Sequence, residues 1–101
     1  MKPHQQEKAD HVLVVGIDGV KRPKHVEDEL NESVDMLFAS PVGNFVWDYL
    51  RSITLNRVSA QGSAEADLRE LEGQRRLFVY LQQRRDAHER ARNSVNRKDD
   101  K

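Results

Sequence analysis

The sequence predicts a mainly α fold: a small three-helix domain with a long C-terminal helix and a short N-terminal strand or hairpin. Three observations predict it. Residues 37–50 and 70–81 hold all the aromatics and nearly half of the large apolar side chains, at the spacing of amphipathic helices. The residues around these two stretches are charged and polar. A short β-branched run, His11 to Asp18, leads into Asp18-Gly19, a strong turn signal.

In chain order, residues 1–10 are predicted to be disordered and residues 11–22 to form a strand or hairpin. A two-stranded hairpin is barely stable alone, so it must dock on the helices or pair with a second chain. The three-helix core is assigned to residues 23–85. Its first helix begins near Pro23, which suits a first-turn position, with Glu27, Asp28 and Glu29 where the helix dipole favours acids. Val26, Leu30, Val34, Leu37 and Phe38 define its expected buried stripe. Ser40 is the expected N-cap of the second helix and Pro41 its first residue. That helix carries Phe45, Val46, Tyr49, Leu50 and Ile53 on its expected buried face, with Trp47 on an adjoining face, and fades around residues 55–57.

Residues 58–63 read as a loop ending in Ser63 as N-cap. The third helix runs from Ala64 to roughly Arg92, supported by the i,i+4 pairs Glu65–Arg69, Glu72–Arg76 and Asp86–Arg90. Its stripe of Leu68, Leu71, Leu77, Phe78 and Leu81 stops at Leu81. Residues 86–101 are therefore expected to project as a basic helix end with a frayed tail. Gly73 inside this helix costs about 1 kcal/mol relative to Ala. Close approach of the second helix near Gly43 is the expected compensation.

At 101 residues there is room for one domain. Apolar residues make up 37% and charged residues 34%, a composition poor in core material that favours an oligomer or a partner. The chain has no cysteine, which excludes a disulfide framework and a thiolate metal site. No apolar run approaches the roughly 20 residues of a membrane span. The opening residues lack the apolar stretch of a signal peptide, so an intracellular protein is expected.

Net charge is zero but unevenly placed. Residues 27–48 hold six acids and no Lys or Arg, whereas residues 73–98 hold eight bases against Asp86 and Glu89, a local charge of +6. Two opposed faces within the fold account for this pattern most simply. Arg75 and Arg76 are candidates to pair with the acidic first helix. Arg84, Arg85, Arg90 and Arg92 are expected on the projecting part, as partner-binding residues or as a track for a phosphate backbone. Val12 and Val14 are the matching candidates on the N-terminal strand, which has an edge to offer a partner's sheet.

Gly16-Ile17-Asp18-Gly19 follows an apolar strand, as nucleotide-binding and acid-phosphatase cores do, but those folds need further strands; a plain turn is the reading. His4, His11, His25 and His88 form no i,i+4 pair and have no metal-ligand spacing. No nucleophile–base or paired-carboxylate arrangement is visible. The residues thus point to no enzyme, no cofactor, no metal, no membrane and no small-molecule substrate.

The pattern of residues 37–43, a hydrophobic helix, a variable loop and then residues 72–81 resembles the Bordetella-phage-type small helical domain family of tailed bacteriophages. Phe38, Ser40, Pro41, Gly43, Gly73, Arg75 and Arg76 carry the resemblance, which spans about residues 30–85. It implies a non-enzymatic phage protein encoded among virion-structure genes, expected in the host cytoplasm with packaging into the virion. Its expected partners are phage structural proteins or further copies of itself, in virion assembly or as a minor head or neck component. The resemblance assigns no binding residue. The alternative expectation is a small nucleic-acid-binding or host-takeover regulator using the basic C-terminal helix.

Overall fold

The computed structural model describes residues 12–58 and 64–99, with side chains described as far as residue 95. The expectations for residues 1–10 and for Ser63 as N-cap lie outside the described residues. The chain is mainly helical. A two-stranded antiparallel hairpin, β1 (Leu13–Val15) and β2 (Lys21–Pro23), precedes three helices: α1 (Lys24–Ala39), α2 (Pro41–Ile53) and α3 (Glu65–Asp99). In the hairpin Leu13 lies opposite Pro23, Val14 opposite Arg22 and Val15 opposite Lys21. Its turn closes through Gly16 N–H to Val20 O (2.8 Å) and Gly19 N–H to Gly16 O (2.9 Å). Asp18 Oδ1 accepts from Val20 N–H at 3.0 Å, and Gly19 has a φ of 85°, which favours glycine.

Pro23 is the N-cap of α1, one position before the predicted first turn. The junction to α2 forms as the sequence predicts. Ser40 Oγ accepts from Gly43 N–H at 3.0 Å and Pro41 opens the helix, where its missing N–H leaves nothing unsatisfied. Gly43 then fixes how α2 lies on α1. A Cβ at this position would sit 1.8 Å from the Leu37 carbonyl oxygen and 2.9 Å from Phe38 Cα. Only a residue without a side chain lets the two backbones come this close.

That contact turns α2 away from its predicted orientation. The line facing the core is Gly43, Trp47, Leu50 and Thr54, not the predicted Phe45, Val46, Tyr49 and Ile53. Trp47 is 7% exposed and Tyr49 58%. Both lines have helical spacing, and the close approach at Gly43 selects the one that contains it.

On α1 the line facing α3 is Glu27, Asn31, Val34 and Phe38; Leu37, predicted inside, is exposed. On α3 Leu71 and Phe78 are buried and Leu81 packs on the core, whereas Leu68 and Leu77 are exposed. The centre is an aromatic stack. The Phe38 and Trp47 ring centroids are 4.9 Å apart and those of Trp47 and Phe78 4.5 Å, all tilted, with Val34, Leu50, Leu55 and Leu81 around them.

At 35 residues α3 is longer than predicted, about 52 Å at 1.5 Å per residue. The Glu65–Arg69 pair closes at 2.6 Å. Gly73 does not meet the second helix: a Cβ there would have nothing within 4 Å. Arg75 does not pair with α1 either. Its Nε donates to Thr54 O at 3.0 Å and its guanidinium also reaches Arg57 O, so it caps the C-terminal end of α2. Arg76 is exposed.

Candidate protein-binding surface

Two of the four arginines assigned to a projecting rod are inside the fold. Arg84 is 6% exposed, among the most buried residues described. Its Nη1 donates to Glu27 Oε2 at 2.8 Å and to Asn31 Oδ1 at 2.9 Å, and its Nη2 lies 3.4 Å from Asp18 Oδ2. Arg22 completes the cluster, 2.7 Å from Asp18 Oδ2 and 3.0 Å from Glu27 Oε1. Ile17 N–H donates to Glu27 Oε2 at 3.0 Å. Two acids and two bases therefore balance one another, and the cluster pins the hairpin turn to α1 and α3 together.

Arg85 and His88 form the second junction. Arg85 Nε lies 3.1 Å and His88 Nδ1 2.9 Å from the two Asp35 carboxylate oxygens, and the Arg85 guanidinium sits 4.6 Å over the Trp47 ring. The correction to the predicted rod has a simple cause. Two acids of α1, Glu27 and Asp35, face inward, and burial of a carboxylate demands a cation opposite.

The carboxylates respond accordingly. Burial pushes Glu27 and Asp35 up, but hydrogen bonds outweigh it. For Glu27 the Ile17 N–H and Arg84 are the strongest of these, and for Asp35 they are His88 and Arg85; both groups end below their ordinary values of 4.5 and 3.8. The Arg22 guanidinium, with the Val20 N–H, holds Asp18 well below the usual carboxylate range. A carboxylate depressed in the folded state contributes stability that is complete above its unfolded pKa and is lost as pH falls through its folded pKa. Thermal melts are therefore expected to share one midpoint between about pH 5 and 6 and to fall steeply below about pH 4. A midpoint that rises on acidification contradicts this assignment.

With these groups engaged, the surface shows an apolar face on α2. Val42, Phe45, Val46, Tyr49 and Ile53 recur at helical spacing and point outward, with Phe45 78% exposed. Beside Ile53 runs an apolar groove of about 190 Å³, lined by Leu50, Ile53, Leu77, Phe78 and Leu81 among others. Leu77 is itself exposed on its far bank.

No family model matches the chain, and no curated protein or solved structure is significantly similar to it.

Of the remaining predicted contact residues, Val12 is exposed and Val14 half-buried, and β1 pairs only with β2 among the described residues. Arg90 and Arg92 are exposed on α3. Among the described residues no group of three or more His, Asp or Glu is placed to hold a metal ion, and no helix is long and apolar enough to cross a membrane.

Sequence reasoning missed the outward face because it assigned the same residues to the core. It missed the Arg84 cluster although a signal existed. Counting back from Phe38 by helical steps gives Val34, Asn31 and Glu27, and a carboxylate on a buried line calls for an arginine on the opposing helix.

Proposed function

We propose that this chain is a non-enzymatic protein that works by binding another protein through the outward face of α2. The observation that carries the reading is the apolar row Val42, Phe45, Val46, Tyr49 and Ile53, left in solvent beside an apolar groove. Exposed apolar patches of this kind mark interaction sites. Residues 1–11, 59–63 and 100–101 contain no Leu, Ile, Val, Phe, Tyr or Trp to set against it.

The setting we propose is assembly of a tailed-phage particle, with the chain as a minor structural component of the head or neck. The likeness of residues 37–43 and 72–81 to the phage domain supports it. The nucleic-acid reading is weaker. Of the four arginines it relied on, Arg84 and Arg85 are committed to Glu27, Asn31, Asp35 and Trp47 inside the fold.

A photo-crosslinking side chain placed at Phe45 is expected to give protein adducts in cells that make the protein natively. The same group at Arg69, on the exposed start of α3, is expected to give few. Absence of adducts at position 45 overturns the reading.

A further inference from the structure

We infer that the occupant of the α2 face is a second copy of this chain, bound through an antiparallel α2–α2 contact about a two-fold axis. The inference rests on the reading of α2 as a binding face and names its partner.

The first argument is area. Val42, Phe45, Val46, Tyr49, Ile53 and Leu77 together expose on the order of 650 Å², close to the roughly 800 Å² per partner of a standard interface before any rim is counted. The chain's own core is small by comparison. Phe38, Trp47, Leu71 and Phe78 are its buried large apolar residues, with Val34, Leu50, Leu55 and Leu81 packed around them.

The second is charge. A two-fold contact sets a patch against itself, so any charge at its centre meets its own like. The α2 row contains no ionisable group except the Tyr49 hydroxyl, and so suits self-pairing. The outer face of α1, with Asp28, Glu29 and Glu32 exposed, does not.

The third is register. With the axis passing between residues 47 and 48, antiparallel helices set Val42 opposite Ile53 and Val46 opposite Tyr49. Smaller residues then face larger ones and the helix dipoles oppose. A parallel pair would stack Phe45 on Phe45 and Tyr49 on Tyr49. In the antiparallel pair Val42, which is 77% exposed, lies level with the groove beside Ile53 of the other copy.

Sedimentation equilibrium of the full chain tests this. A mass of twice 11.7 kDa is expected. Phe45→Glu and Tyr49→Glu, each with unchanged helical circular dichroism, are expected to raise the dissociation constant at least about 30-fold. Since the chain has no cysteine, orientation can be read directly. A mixture of Val42→Cys and Ile53→Cys chains is expected to form the mixed disulfide. Val42→Cys alone is not, because the two copies of residue 42 lie about 16 Å apart along the axes.

A wild-type chain that stays monomeric at its highest soluble concentration overturns the second copy as partner; crosslinks from Phe45 to a different protein would still leave the binding face standing. A dimer indifferent to both glutamates overturns the contact surface. Ready self-crosslinking of Val42→Cys overturns the antiparallel arrangement.

Discussion

Replacing Arg84 with methionine is expected to destabilise the fold by about 3 kcal/mol. Methionine fills much of the space but leaves the Glu27 carboxylate buried without its partner on α3 and removes the donor to Asn31 Oδ1. Breaking one side of a buried pair costs about 3–5 kcal/mol in general. The lower end applies here because Arg22 and the Ile17 N–H still reach Glu27. The double change Glu27→Met with Arg84→Met should recover part of the loss, since it removes both charges and leaves Asp18 paired with Arg22, although Asn31 Oδ1 and the Ile17 N–H still lose their partners. Arg92→Ala, on the exposed end of α3, should stay within about 0.5 kcal/mol. Urea unfolding of the four chains at one protein concentration checks this. An Arg84→Met chain as stable as the parent would show that the cluster contributes nothing.

Gly43→Ala is expected to cost at least about 3 kcal/mol, at the upper end for overpacking, or to prevent folding. The added carbon falls on the Leu37 carbonyl and beside Phe38 Cα, both backbone, and backbone cannot swing aside as a side chain can. Relief would require α2 to lift from α1, which separates Trp47 from Phe38. Gly73→Ala makes the opposite case. Its Cβ meets nothing, so alanine should raise stability by about 0.5–1 kcal/mol through helix propensity and a less mobile unfolded chain. Thermal melts of the two alanine variants read both signs. A tolerated Gly43→Ala would mean that the α1–α2 approach is looser than described.

The contrast between these glycines marks what the sequence could and could not tell. Ser40 and Pro41 were legible because a helix cap is settled within a few residues of itself. Phe38 and Phe78 were legible as core because each lies on an apolar line under any packing. Trp47 and Tyr49 were not, since α2 has two apolar lines and only a contact with another helix decides between them. The partnership of Arg84 with Glu27 spans 57 residues. Composition placed the opposite charges in opposite halves of the chain, but not the pairing that buries them. Gly73 was misread for a related reason: a glycine within a helix signals close approach only when a neighbour is there.

Among the described residues, the buried side chains and ion pairs that join α3 to the rest of the fold run from Leu71 to His88, and the rod extends past them at both ends. The overhangs differ in sign. Glu65, Asp67 and Glu70 outnumber Arg69 at the start, and Arg90, Arg92, Arg97 and Lys98 outnumber Glu89 and Asp99 at the finish. Each sign is the one that the peptide dipoles favour at that end. The rod is thus a bar magnet in miniature, clamped at its waist, with the order of charge at each tip matched to its coil.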